Sequence, residues 1–126
     1  MTQTTDTTAS TLDVIDRFND VFNKHDVGAI MAMMTDDVVF ENTSPRPDGE
    51  RFEGRQAVRG FWERLFSGSP SARFEAEDIS AGGDRCTVRW VYRWVDSDGK
   101  PGHVRGVDVF RVRDGKVVEK LSYVKG

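Results

Sequence analysis

The stretch from Val104 to Val112 reads as a strand, and one face of it carries Val104, Gly106, Asp108, Phe110 and Val112. A lone carboxylate therefore interrupts an apolar row. Burying it costs several kcal/mol unless a partner compensates the charge or the group keeps its proton. A carboxyl group held in that way suits acid–base chemistry, taking a proton from a substrate or giving one back. Asp98-Gly99, taken as a two-residue turn, sets Ser97 against Lys100 and Arg89 directly opposite Asp108, with Cβ atoms about 4.5–5.5 Å apart. Thr87 then faces Phe110, Val91 faces Gly106 and Arg93 faces Val104, while Val88, Trp90, Tyr92 and Trp94 take the other face. A turn over Gly99-Lys100-Pro101-Gly102 would shift this register. Arg89 and Asp108 read equally as a functional pair and as a cross-strand ion pair that only sets register. Asn42 is a second polar break, on the face of Val38 and Phe40, and its simplest reading is an Asx turn leading into Thr43-Ser44-Pro45.

The remaining reactive side chains carry weaker signals. His25 sits in a short linker before Asp26, and His103 begins a strand on the outer face. No His, Cys, Asp and Glu spacing resembles a metal site, and no glycine-rich phosphate loop is present. The single cysteine, Cys86, rules out an internal disulfide and suits a reducing cytoplasm. Met31, Met33 and Met34 read as core, although thioethers also suit an adaptable pocket wall.

These residues need elements to position them. The 126 residues fit one domain, long enough to close a core without staples. Residues 1–50 hold 3 Lys and Arg against 10 Asp and Glu, whereas residues 51–126 hold 15 against 11, so the second part is locally basic. The net charge of −3 argues against a general nucleic-acid binder and leaves room for a small polarised ligand. No apolar run approaches the ~20 residues of a membrane span. MTQTTDTTAS lacks a basic region and an apolar run; it reads as a disordered polar tail over residues 1–10, with one domain over 11–126. A first helix is predicted from Thr11 to about Lys24, with Ser10 as N-cap and Leu12, Ile15, Phe18 and Phe22 at helical spacing. Asp26 caps a short second helix, Val38 to Thr43 alternate as a strand, and Ser44 to Glu50 form a loop. After Gly54, Val58, Phe61, Trp62, Leu65 and Phe66 define a third helix. Four strands follow, Phe74–Ser80, Arg85–Val95, Val104–Arg113 and Lys116–Val124, with Asp98-Gly99 and Asp114-Gly115 as turn signals. The expected fold class is α+β.

The run VIDRFNDVFNKHDVGAIMAMMTDD from Val14, then VVFEN, EGRQAVRGFW and RGVDVFRVRDGKVVEKLSYV, resembles the nuclear-transport-factor-2-like superfamily over roughly residues 11–125. Within it the nearest resemblance is to the SnoaL-like group, with polyketide cyclases, ketosteroid isomerases and limonene-epoxide hydrolases. The resemblance implies a cone-shaped α+β roll, a curved antiparallel sheet wrapped around three N-terminal helices with a pocket at its open end. It implies that Asp108, in GVDVFR, falls where the isomerases keep a carboxylic acid that donates to the substrate oxyanion. Their tyrosine on the first helix corresponds to Phe18, their proton-shuttling aspartate to Asn42 and their tyrosine on the third helix to Trp62. Against the epoxide hydrolases, Arg89 and Asn42 fall on a pocket arginine and a water-holding asparagine, while the two carboxylates of those enzymes correspond to Val91 and Ser122. The resemblance also puts Lys120, Ser122 and Val124 on the pocket side of the last strand. A two-residue Asp114-Gly115 turn would put Glu119, Leu121 and Tyr123 there instead, and a three-residue loop with a glycine bulge restores the first arrangement.

The resulting expectation is an isomerase- or cyclase-type enzyme acting on an apolar, carbonyl-bearing small molecule. Asp108 serves as acid or base, Arg89 tunes it or binds a ligand oxygen, and Asn42 orients substrate or water. Phe18, Met34, Phe40, Trp62, Phe110, Lys120 and Ser122 line the site. No metal, organic cofactor, nucleic acid or membrane is expected as a partner. A homodimer is expected through the Trp90, Tyr92 and Trp94 face. The alternative is a non-catalytic ligand-binding or dimerisation domain of the same fold.

Overall fold

The computed structural model describes residues 2–125, with side chains described from Thr7 onward. The elements follow one another as α1 (Thr2–Asn23), α2 (Val27–Ala32), β1 (Met34–Glu41), β2 (Arg51–Glu53), α3 (Arg55–Gly68), β3 (Arg73–Gly82), β4 (Arg85–Val95), β5 (Pro101–Arg113) and β6 (Lys116–Val124). The strands form one sheet in the order β2-β1-β6-β5-β4-β3, left open between its edges β2 and β3. Every pairing is antiparallel except β1 with β6, which is parallel. The chain is thus α+β, with the three helices on one side of a curled sheet.

Apolar periodicity explains the helices. Ile15, Phe18 and Phe22 of α1 are buried, as are Val58, Trp62 and Phe66 of α3, each on one stripe turned to the sheet. The helix α1 lies against β3 and β4, and α3 lies against β1 and β2. Asp26 caps α2 as its type predicts, accepting from the Ala29 N–H at 3.1 Å. His25 ends α1 in the left-handed region at φ 56°, with Nε2 2.9 Å from the Ala72 carbonyl and its ring stacked on Phe66.

The start of α1 departs from expectation. The helix already runs from Thr2, so Ser10 lies inside it rather than capping it, and residues 2–10 are helical instead of a tail; Met1 lies outside the described residues. Threonine-rich sequence is a poor helix former, and tertiary docking offsets that deficit here. Thr8 accepts from the Gly83 N–H at 2.9 Å, and Thr11 donates to the Gly83 carbonyl at 2.8 Å, tying α1 to the β3–β4 turn. At the other end, the Asn23 side chain pairs with the Phe74 backbone in both directions, at 2.7 and 2.8 Å, which satisfies part of the free edge of β3.

Candidate functional site

Two local irregularities decide which side chains meet beneath the helices. The first is the β4–β5 turn. The Asp96 N–H donates to the Lys100 carbonyl at 2.9 Å, and the Asp96 carboxylate accepts from the N–H groups of Asp98 and Lys100, both at 2.9 Å. This holds a three-residue loop, Ser97-Asp98-Gly99, with Gly99 at φ 79°. The loop is one residue wider than the expected turn, so Val88 faces Asp108 and Arg89 faces Val107. A shift of one residue turns a strand over. Arg89 therefore lies on the outer face beside Glu77 and Arg105, and it is not a partner of Asp108. By the same shift Trp90 and Tyr92 lie on the helix side with Asp108, Trp90 being buried against Phe74. Trp94 follows them at the hairpin end, 6.0 Å from the Tyr92 ring. The surface expected to meet a second subunit is thus the inner face of the sheet. The alternation leans this way, because Cys86, Val88, Trp90 and Tyr92 are all apolar or aromatic whereas Thr87, Arg89 and Arg93 share their face with the apolar Val91.

The second irregularity is a bulge in β6. The β5–β6 turn does have two residues, Asp114 and Gly115, at φ 54° and 76°. Arg113 pairs with Lys116 and Val112 with Val117, but Arg111 then pairs with Glu119, leaving Val118 as an extra residue. Beyond it Lys120 and Ser122 face inward and Leu121 and Tyr123 outward. Of the set that the resemblance implies, Lys120 and Ser122 are turned to the pocket, through a bulge within the strand rather than a longer loop, while Val124 is 37% exposed at the strand end and does not line it.

That bulge supplies the compensation Asp108 requires. Asp108 is fully buried and sits directly across from Ser122, whose hydroxyl donates to Oδ1 at 2.6 Å. Lys120 Nζ lies 3.1 Å from Oδ2 and donates to Ser122 Oγ at 3.2 Å. The approach of Nζ to Oδ2 is an ion pair without hydrogen-bond alignment, so Oδ2 has no donor among the described residues. The ammonium is also surrounded by rings: the centroids of Phe40, Trp62, Phe22, Phe110 and Phe74 lie 5.0, 5.5, 5.7, 5.8 and 5.9 Å away. Each ring face attracts a cation, most strongly where water is excluded. Carboxylate, hydroxyl and rings together offset the desolvation of a lysine that is 5% exposed.

Lys120 and Ser122 form the polar floor of a cavity of about 120 Å³. Of the residues expected at the site, Phe40, Asn42, Trp62, Lys120 and Ser122 line it. Phe18, Met34, Phe110 and Asp108 do not: Phe18, Met34 and Phe110 are buried in the core, with Phe18 edge-on to Phe110 at 5.7 Å and the Met34 carbonyl accepting from Arg55, and Asp108 is covered behind Lys120 and Ser122. The walls also include Phe61, Phe74, Trp90 and Tyr92, which the sequence reading did not assign to the site. For Trp90 and Tyr92 the cause is the register. Burial pushes the Tyr92 phenol above its ordinary pKa, and its hydroxyl, like the indole nitrogens of Trp62 and Trp90, has no partner among the described residues.

Asn42 stands at the mouth and shapes the adjoining loop. Its Oδ1 accepts from Glu50 N at 2.7 Å and from Ser44 N at 3.3 Å, the latter being the Asx turn its position suggested. Gly49, at φ 73°, closes over it so tightly that a Cβ there would lie 2.0 Å from the Asn42 carbonyl oxygen. Cys86 is buried, and burial followed by the charge of Asp16 raises its thiol to about 11, so it is no nucleophile at neutral pH. No group of three His, Cys, Asp or Glu among the described residues is placed to hold a metal ion. No helix among them is long and apolar enough to cross a membrane. The arrangement can therefore present an ammonium and a carboxylate-bound hydroxyl to an apolar ligand held between rings.

Residues 15–120 match the SnoaL-like domain family. The chain is 43% identical to an NTF2-like protein of unknown function from Mesorhizobium loti, covering 94% of this chain and 93% of that one with a TM-score of 0.80. A candidate polyketide cyclase from Xanthomonas campestris shares 24% identity over 94% and 93% of the two chains at a TM-score of 0.77. The epoxide hydrolase/cyclase-like enzyme SalBIII, which acts in pyran ring formation in the polyether salinomycin, shares 21% identity over 91% and 90% at a TM-score of 0.79. At that identity the last two establish likeness of fold. No curated protein matches the sequence.

Proposed function

Because the chain belongs to the SnoaL-like family, we propose that it is an acid–base catalyst of the isomerase or cyclase type, acting on an apolar substrate that carries a carbonyl group. The observation that carries this reading is that Lys120 and Ser122, which line a largely apolar cavity, are both held by Asp108 buried behind them. The substrate carbonyl oxygen accepts a hydrogen bond from Lys120 Nζ. A proton on the neighbouring carbon passes to Ser122 Oγ as the Ser122 proton passes to Asp108 Oδ1. The electron pair of the broken C–H bond moves onto the carbonyl oxygen, where the ammonium stabilises it. Return of the proton to a different carbon gives isomerisation, and attack of the enolate on a second electrophilic carbon gives ring closure. Asp108 is the base acting through Ser122, Asn42 orients the substrate at the mouth, and Arg89 has no part. The cyclase and cyclase-like proteins of similar fold support this class of chemistry without naming the substrate.

The test is hydrogen–deuterium exchange at the α-carbon of simple ketones in D2O, followed by NMR. The wild-type protein is expected to accelerate exchange by about 10²–10⁴-fold, the range of one positioned proton-transfer group, and Asp108→Asn to abolish the gain. No acceleration over a panel of ketones sinks the proposal.

One observation favours a second reading. Asp108 is fully covered, and a covered ion pair is also what a non-catalytic binding scaffold would use to fix its strands. On that reading Asp108→Asn alters stability, and ligands still raise the melting temperature. In either case we place the homodimer contact on the outer face around Val107, Leu121 and Tyr123, the last 53% exposed.

A further inference from the structure

Lys120 is buried, whereas the other lysines of the chain, Lys24, Lys100, Lys116 and Lys125, are all exposed. Its Nζ is set among the walls of the cavity. The ring centroids of Phe22, Phe40, Trp62 and Phe74, all of which line it, lie 5.7, 5.0, 5.5 and 5.9 Å from that nitrogen. Ser122 Oγ, on a further lining residue, lies 3.2 Å from it. An ammonium is no nucleophile, because its nitrogen holds no free electron pair; an amine is one. A lysine in such a place needs somewhere to put one proton, and a continuous route is present. Nζ donates to Ser122 Oγ at 3.2 Å and Ser122 Oγ donates to Asp108 Oδ1 at 2.6 Å, so a proton leaving Nζ displaces the Ser122 proton onto the carboxylate. That carboxylate is fully buried and short of donors, since its Oδ2 receives no hydrogen bond from the described residues. We infer that Lys120 reacts covalently with aldehydes and ketones that enter the cavity and holds them as an iminium ion.

The step balances within these three side chains and the carbonyl compound. One proton moves from Nζ through Ser122 to Asp108, and the two charges vanish together. The amine electron pair then forms a bond to the carbonyl carbon while the π pair of C=O moves to oxygen. That oxygen takes a second proton from the nitrogen and the stored one from Asp108, and it leaves as water as the nitrogen pair closes the C=N bond. Asp108 is again a carboxylate, and the nitrogen keeps one hydrogen and the positive charge. The surroundings favour this product: ring faces attract an iminium as they attract an ammonium, and the charge stays on the same nitrogen beside the same carboxylate. Arginine, which pairs with a carboxylate through two parallel bonds and never gives up its proton, suits a purely structural buried pair better; lysine is the cation that becomes an amine. An iminium also draws electrons from the neighbouring carbon more strongly than a hydrogen-bonded carbonyl does. The same α-proton then leaves more readily, towards Ser122 and the regenerated Asp108.

This inference rests on the cavity admitting a carbonyl compound, as proposed above, and its test reads a covalent adduct rather than turnover. The wild-type protein is incubated at neutral pH with cyclohexanone and sodium cyanoborohydride, which reduces iminium ions in preference to ketones. Peptide mass mapping then locates each cyclohexyl group. Lys120 is expected to be labelled at least about tenfold faster than Lys24, Lys100, Lys116 or Lys125, which serve as controls within the same molecule. Ser122→Ala, which cuts the proton route, is expected to slow labelling of Lys120 by at least about tenfold and to leave the exposed lysines unchanged. Circular dichroism shows whether that variant folds; if it does not, the wild-type labelling pattern decides alone. Labelling confined to the exposed lysines, or no labelling, overturns the inference. Wild-type labelling of Lys120 in a folded Ser122→Ala protein overturns the assigned proton route. Proton exchange without a Lys120 adduct sinks this inference and leaves the hydrogen-bonded mechanism standing; a Lys120 adduct without exchange sinks the catalytic reading and leaves this one.

Discussion

Lys120 and Asp108 stabilise the protein only as a pair. Removing one partner strands the other charge in a site that water does not reach. Lys120→Met is therefore expected to destabilise the fold by about 3–5 kcal/mol in urea denaturation. The double variant with Asp108→Asn is expected to recover most of that loss. Additive losses would show that the two groups are not coupled. Cys86 gives an independent check on how dry the interior is. Burial lifts its thiol from 9.0 to about 11, so the unfolded chain releases that proton first. The stability tied to it is complete below pH 9 and is lost as the pH rises towards 11. Cys86→Ala is expected to flatten that part of the stability–pH curve, and native Cys86 is expected to resist thiol reagents at pH 8 until the chain is unfolded.

Single strands present the site, and single residues at their bends and crossings aim it. Gly106 of β5 is where the backbone must yield to Trp90: a Cβ there would sit 2.2 Å from the Tyr123 carbonyl oxygen and 2.7 Å from the Trp90 ring. Gly106→Ala is expected to force β5 from β6 at the Tyr123 carbonyl as well as to push the indole off its place, costing about 1–3 kcal/mol as overpacking. It should also weaken ligand binding more than Trp90→Phe does. Wild-type affinity in a folded Gly106→Ala protein would show that the Trp90 position is not critical. The ion pair between Asp37 of β1 and Arg113 of β5 spans the intervening β6. Arg113, first by hydrogen bond, holds the Asp37 carboxyl down to about 2. The contribution of the pair is present above the ordinary carboxylate value of 3.8 and is lost as the pH falls towards 2. Arg113→Gln is expected to return the Asp37 titration towards 3.8, read from its carboxyl carbon shift.

Across the whole sheet the inner face is committed to the helices and the cavity, and the outer face is where we propose that a second copy docks. Tyr123→Asp, which places a charge on that face, is expected to turn a dimer into a monomer in sedimentation velocity; a wild-type monomer at micromolar concentration would remove the dimer altogether. Much of this architecture is legible without coordinates. The stripes Ile15, Phe18, Phe22 and Val58, Trp62, Phe66 specify two helices. The row around Phe110 specifies a strand with one carboxylate turned inward. Both patterns arise from periodicities that operate within a single element. The partner of that carboxylate is not local information. Arg89 is excluded by one residue more in the Asp96–Lys100 turn, and Lys120 is admitted by the extra Val118 in β6. Each is a change of one residue in how neighbouring strands are registered, and in a sheet one residue reverses a face. Likewise the helix over residues 2–10 exists through the docking of Thr8 and Thr11 on Gly83, a contact 72 residues away for Thr11. Asp108 was thus marked as a buried charge by its own strand. Which cation answers it, and which rings enclose the pair, was decided only when β4, β5 and β6 lay side by side.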